Sequence, residues 1–117
     1  VASHAGFPER AHVAAAKAGL CGMTGALAPE LAPHGITVNA VNPGPVDTER
    51  WWGLVRTLAR EMDISEDEAQ EKAVRSMPMG RLCTAEEVAD VVVFLASDAS
   101  ALITGTALMV DGGWTAE

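Results

Sequence analysis

Leu31-Ala32-Pro33-His34-Gly35-Ile36-Thr37-Val38-Asn39-Ala40-Val41-Asn42-Pro43-Gly44-Pro45 is the stretch that decides the fold. Its middle, Ile36 to Asn42, is β-branched and apolar and is bounded by Gly35 and by Pro43-Gly44-Pro45, which is the pattern of a buried strand. Upstream, from about Ala11 to Ala32, apolar residues recur three and four apart at Val13, Ala16, Leu20, Met23, Leu27 and Leu31. That spacing predicts one long amphipathic helix with these side chains on its packed face. Pro29 removes a helical hydrogen bond and should kink the helix or end its regular part, and Gly35 supplies a left-handed stop. Gly19, Gly22 and Gly25 each destabilise a helix by roughly 0.5–1 kcal/mol relative to Ala, so they predict close packing of the helix against a neighbour there.

Working outward, Val1-Ala2-Ser3 reads as the end of a strand, so the chain is expected to begin inside an element. Beyond Pro45, the stretch 46–80 holds most of the charge, and its acids Glu61, Asp63, Glu66, Asp67, Glu68 and Glu71 fit a solvated helix face better than a metal site. Ser65-Glu66-Asp67-Glu68 has the form of a capping box and predicts a short helix running toward Arg75. Thr84-Ala85-Glu86-Glu87 is a second such box, opening a helix with Val88, Val91, Val92 and Leu95 at helical spacing and an end near Ser97. Thr106 to Asp111 reads as a last strand, closed by Gly112-Gly113. The order strand, helix, strand, helical excursion, helix, strand implies right-handed crossovers and a parallel sheet covered by helices, the α/β class. Three strands are too few for such a sheet, so these elements read as one half of a doubly wound domain.

Composition bounds the function. The 117 residues carry 16 Asp plus Glu against 8 Lys plus Arg, a net charge of −8, with 49% hydrophobic and 21% charged residues. One domain is the ceiling, and disorder is excluded. Scattered bases in an acidic chain argue against a nucleic-acid partner. The longest apolar run, around Val91 to Ala96, is far short of the ~20 residues that span a bilayer, and no secretory leader is visible. Cys21 and Cys83 lie far apart without ligand spacing, as expected for two free thiols in a reducing, cytoplasmic setting. Tyrosine is absent altogether.

Several segments, in order and covering essentially the whole chain, resemble the short-chain dehydrogenase/reductase family: Ala14-Ala15-Ala16-Lys17-Ala18-Gly19-Leu20, the stretch Leu31 to Gly44, Met79-Gly80-Arg81-Leu82, Glu86-Glu87-Val88-Ala89, and Ile103-Thr104-Gly105 through Val110-Asp111-Gly112-Gly113. The resemblance implies the carboxy-terminal half of a Rossmann-like oxidoreductase that moves a hydride between NAD or NADP and a carbonyl or alcohol. The family's chemistry uses Ser, Tyr and Lys: the Ser hydroxyl holds the substrate oxygen, the Tyr moves its proton, and the Lys lowers the Tyr pKa and holds the cofactor ribose. Ser3 fits the Ser position and Lys17 the Lys position. Pro43, Gly44, Val46 and Thr48 fit the loop that faces the nicotinamide and its carboxamide. Trp51 and Trp52 begin the excursion that in the family closes over the substrate. Each residue also has a plainer reading: Ser3 as a strand-end hydroxyl, Lys17 as a solvated helix charge, Thr48 as a helix cap, the tryptophans as packing.

Two departures from the family stand out. Four residues before Lys17, where the family has Tyr, stands Val13, which has no proton to transfer, and the interval from Ser3 is a few residues short. His12 carries an imidazole, a group able to move a proton, but sits one helical step, ~100°, from that position. The glycine-rich turn that would cradle the pyrophosphate is not found in the sequence, and Gly19-x-x-Gly22-x-x-Gly25 is no substitute, being mid-helix. The sequence therefore supports two readings: an oxidoreductase half-domain, or a non-catalytic binding or oligomerisation module of the same descent. A truncated gene product is a third, motivated by the Val1 start. The unpaired sheet edge and uncovered apolar faces of a half-domain predict a homo-oligomer.

Overall fold

Local chemistry places each element of the computed structural model, which describes residues 9–116. The strand expected at Val1–Ser3 lies outside them. α1 spans Ala11–Leu31, with Pro29 in its last turn, and gives way to a 3-10 turn at Ala32–His34 that Gly35 closes at φ 70°. β1 is Ala40–Pro43 and β2 is Ala107–Val110; they pair in parallel with Ala40 opposite Ala107 and Pro43 opposite Val110. Between them come α2 (Glu49–Met62), α3 (Glu66–Arg75) and α4 (Ala85–Leu95). Among the described residues the sheet therefore has two strands, not the three expected.

β1 is shorter than the predicted Ile36–Asn42 because side chains replace the ladder at its start. The Asn39 amide donates to the Ile103 carbonyl at 2.8 Å and accepts from the Thr106 amide at 3.3 Å, while the Val38 amide donates to Thr104 Oγ1 at 3.0 Å. These bonds hold the two segments together without strand geometry. β2 loses Thr106 and Asp111 for related reasons. Thr106 is taken up by the Asn39 clasp, and Asp111 turns away into a tight bend.

The packed face of α1 is also displaced from the predicted one. Thr24 and Ala28 are buried and Cys21 is half-buried, whereas Leu20 and Met23 are about half exposed, at 48% and 52%. Small side chains face the strand because the helix lies close to it: a Cβ added at Gly105 would come 3.2 Å from the Ala28 Cβ. Gly19, Gly22 and Gly25 do not serve that approach, since a Cβ at any of them meets nothing within 4 Å.

Contacts fix how the helices lie on the sheet. Ala28 abuts Gly105, which pairs with Val38 before the strands begin, whereas Cys21 Sγ donates to Asn42 Oδ1 at 3.7 Å near the end of β1. α1 thus runs antiparallel to β1, its amino-terminal turns lying toward the carboxyl ends of the strands. Asn42 faces α1, while Thr37, Asn39 and Val41 line a cleft of about 480 Å³ with Val92 and Leu95 of α4. Successive strand residues point to opposite faces, so α1 and α4 cover the two sides of the sheet. This is the helix-on-both-faces arrangement of a doubly wound α/β fold.

The excursion builds its own small core. Val55 and Ala59 of α2 and Ala69 of α3 are buried together, with Trp51, Trp52, Ile64 and Ala73 packed around them. Both helices start where the capping boxes predict, but only the second box is reciprocal, since the Glu68 carboxylate pairs with Lys72 rather than with the Ser65 amide. Ser65 Oγ accepts from the Glu68 amide at 3.1 Å, and Thr84 and Glu87 cap α4 reciprocally. α2 itself was not singled out by the sequence, although Thr48 precedes apolar Trp51, Trp52, Val55 and Met62 at helical spacing.

Candidate functional site

The carboxyl ends of β1 and β2 are held together by one close contact. The Gly44 amide donates to the Val110 carbonyl at 3.0 Å, and a Cβ at residue 44 would fall 2.8 Å from the Asp111 Cα. Only glycine fits there. The loop that follows is stitched to the segment before α4: the Cys83 amide donates to the Pro45 carbonyl at 3.0 Å, and the Asp47 amide to the Cys83 carbonyl at 2.8 Å, a short parallel bridge between Val46 and Cys83. The Pro43–Thr48 loop therefore has a fixed backbone just past the strand ends, where open α/β sheets bind ligands.

Thr48 ends this loop and begins α2. Its hydroxyl accepts from the Trp51 amide at 3.4 Å and donates to the Val46 carbonyl at 3.3 Å, so the helix-cap reading holds. Both bonds are long, and neither satisfies the hydroxyl fully. The Trp52 indole donates to Asp47 Oδ1 at 2.6 Å, while both tryptophan rings pack on the α2–α3 core.

Lys17 is exposed on α1 and makes no ion pair or side-chain hydrogen bond among the described residues. It lies one turn before Cys21 on the same helical face, and Cys21 already reaches Asn42. Continuing antiparallel to β1, Lys17 lies toward the same sheet end as the Pro43–Thr48 loop. Val13 shares that face one turn earlier. His12 does not, because α1 is regular from its first turn, where the Ala14 amide donates to the Arg10 carbonyl at 2.9 Å. Ser3 lies outside the described residues.

Four residues that sequence reasoning left out of the site, Asp111, Cys83, Glu87 and Arg81, organise its flank. Asp111 is 7% exposed and is a clasp: its carboxylate accepts from the Gly113 amide at 3.0 Å, the Thr115 amide at 3.0 Å and the Thr115 hydroxyl at 2.6 Å. Burial alone would raise its pKa, but the Thr115 hydroxyl and the two amides outweigh it and hold the carboxylate below its ordinary value. An Asp directly before Gly112-Gly113 was the available sequence signal. Burial, and next the Glu87 carboxylate, push the Cys83 thiol up, and Sγ donates to the Val110 carbonyl at 3.1 Å. Glu87 is lowered to about 2, first by its bond from Arg81 and then by the Thr84 amide it caps. Arg81, held bidentately by Glu87 at 2.8 and 2.6 Å, is raised by the same bond.

Cys83, Glu87 and Asp111 line a cleft of about 310 Å³ that excludes Lys17 and Thr48. Among the described residues no group of His, Cys, Asp or Glu is placed to hold a metal, and no helix is long and apolar enough to cross a membrane. Cys21 and Cys83 are both free thiols.

Comparison with known proteins matches this geometry to a family. The family described as enoyl-(acyl carrier protein) reductase matches residues 1–115. The 3-oxoacyl-[acyl-carrier-protein] reductase FabG of Pseudomonas aeruginosa is 47% identical over 92% of this chain and 39% of its own length. The uncharacterized oxidoreductase YxjF of Bacillus subtilis is 40% identical over 96% of this chain and 44% of its own. Among solved structures, a short chain dehydrogenase family protein from Francisella tularensis superposes with a TM-score of 0.91 at 36% identity, covering 99% of this chain and 48% of that one. An actinorhodin polyketide ketoreductase crystallised with NADPH gives 0.89 at 36% identity, over 97% and 44%. The chain thus spans somewhat less than half the length of these relatives, and its parallel sheet with helices on both faces is part of their Rossmann fold. It belongs to the short-chain dehydrogenase/reductase family.

Proposed function

We propose that this chain is the carboxy-terminal half of an NAD(P)-dependent oxidoreductase that transfers a hydride between the nicotinamide and a small carbonyl or alcohol substrate. The observation that carries the reading is the placement of Lys17 and the rigid Pro43–Thr48 loop toward one end of the sheet. The residues fit the nicotinamide-ribose end of the cofactor. Lys17 brings an ammonium with no other partner among the described residues, and Thr48 brings a hydroxyl held only by long bonds. In this reading Lys17 binds the ribose, the backbone of Pro43, Gly44 and Val46 forms the wall under the nicotinamide ring, and Thr48 orients its carboxamide. Ser3 orients the substrate oxygen. The bound cofactor supplies the hydride.

The excursion 46–80 closes over the substrate, with Trp51 and Trp52 at its root. The protein works as a homo-oligomer in the cytoplasm, where its two thiols stay free. Its partners are the cofactor and the small molecule, with neither nucleic acid nor membrane among them. A non-catalytic module is less well supported, since the relatives above are reductases and oxidoreductases by name.

Val13 sets the limit of this reading. A valine on the Lys17 face moves no proton, so proton transfer is the step this helix does not supply. The test is turnover of NADH and NADPH with a panel of ketones by the protein at its natural length, with Val13 and with Val13→Tyr. The substitution is expected to raise turnover about a hundredfold or more, the usual contribution of a positioned general acid. Failure of either version to bind NADH or NADPH would overturn the assignment.

A further inference from the structure

The root of the excursion holds a bond whose two ends belong to different bodies. Asp47 belongs to the sheet end, because its amide donates to the Cys83 carbonyl at 2.8 Å beside the Val46–Cys83 bridge. Trp52 belongs to the helical hairpin, because its ring packs on the core of Val55, Ala59 and Ala69. The indole Nε1 donates to Asp47 Oδ1 at 2.6 Å. The Thr48 bonds beside it are 3.3 and 3.4 Å and secure only the first turn of α2. A short, charge-assisted bond to a carboxylate is about twice as strong as a neutral one. It also lies off the chain path through Thr48, so it restrains rotation about that residue where the backbone alone would leave it free.

We propose that Trp52 and Asp47 form a strut that sets the angle of the α2–α3 hairpin against the Pro43–Thr48 loop. Both are positioning residues for substrate binding. Trp52 supplies the rigid arm and Asp47 the fixed socket. The consequence for the substrate rests on the excursion being the cover of the site, as proposed above; the strut itself does not.

The test uses the protein at its natural length and three variants. Trp52→Phe keeps an aromatic ring in the hairpin core and removes the donor. Asp47→Ala removes the acceptor from outside that core, so it remains informative if Trp52→Phe fails to fold. Asp47→Asn keeps an acceptor oxygen. Hydrogen exchange is followed across the chain without cofactor, and KM and kcat are measured in the Val13→Tyr background with the ketone best turned over.

Loss of the bond is expected to speed exchange of α2 and α3 amides about tenfold, with β1, β2 and α4 unchanged, and Asp47→Asn, which keeps a neutral bond, is expected to speed it only about threefold. KM is expected to rise several-fold with kcat little altered. Unchanged hairpin exchange in Trp52→Phe and Asp47→Ala overturns the strut. Faster exchange with an unchanged KM keeps the strut and overturns its role in substrate binding. If no ketone is turned over, exchange alone decides the strut, and the oxidoreductase reading fails separately.

Discussion

At the scale of single residues, the site's flank rests on Gly44 and Asp111. Replacing Gly44 with Ala puts a methyl 2.8 Å from the Asp111 Cα, and both atoms belong to strand ends that cannot move apart without breaking the Gly44–Val110 bond. Gly44→Ala is expected to destabilise the protein by about 2 kcal/mol or more, measured by denaturant unfolding, with overpacking as the cause. Asp111→Ala leaves the Thr115 hydroxyl and two amides without their acceptor and is expected to cost about 2 kcal/mol. Acid should act through the same carboxylate. Its folded pKa lies below its unfolded value, so its contribution is complete above the unfolded pKa and is lost as pH falls through the folded one. Glu87 follows the same sign, its contribution fading from about pH 4.3, the unfolded value, down to about 2. Stability measured against pH should therefore decline below about pH 4 in the parent, and less steeply in Glu87→Gln. Gly44 was legible in the sequence as part of a turn. Its actual constraint, a backbone 66 to 67 positions away in the chain at Val110 and Asp111, belongs to tertiary contact and leaves no local trace.

Among the secondary elements, legibility followed how local the determinants are. α3 and α4 were readable to within a residue or two because Ser65 and Thr84 satisfy helix amides within three residues of themselves. Strand limits were not, because Asn39 ends the ladder by pairing with Ile103 and Thr106, residues that only the fold brings near. The face of α1 was misjudged for the same reason. Hydrophobicity pointed to Leu20 and Met23, but a helix lying close to a strand selects small side chains such as Thr24 and Ala28. Asn39→Ala removes both clasping bonds and is expected to cost about 2 kcal/mol, with hydrogen exchange rising first at Val38, Gly105 and Thr106. Lys17 was singled out by its motif. Its placement toward the sheet end follows only from the direction of α1, which the contacts of Ala28 and Cys21 supply.

Over the whole molecule, the described faces are unfinished. Val92, Val93 and Phe94 on α4 are 50%, 67% and 42% exposed, and Leu20 and Met23 leave a second apolar strip on α1. The radius of gyration is 16.5 Å, against about 13 Å for a compact chain of this size. Such surfaces are covered in a stable protein, by the remainder of a longer chain or by copies. Size-exclusion with light scattering is expected to show an oligomer, and a sharp monomer peak with cooperative unfolding would contradict it.

The bridge between Val46 and Cys83 also bears on how such a protein diversifies. It brings the entrance and exit of the whole excursion side by side and closes it at its neck, while the excursion carries its own core in Val55, Ala59 and Ala69. A segment closed in this way is a cassette. In the proposed reading, where this cassette covers the substrate, its length and lining could change without shifting Gly44 or Asp111, and new substrate preferences would arise on an unaltered sheet.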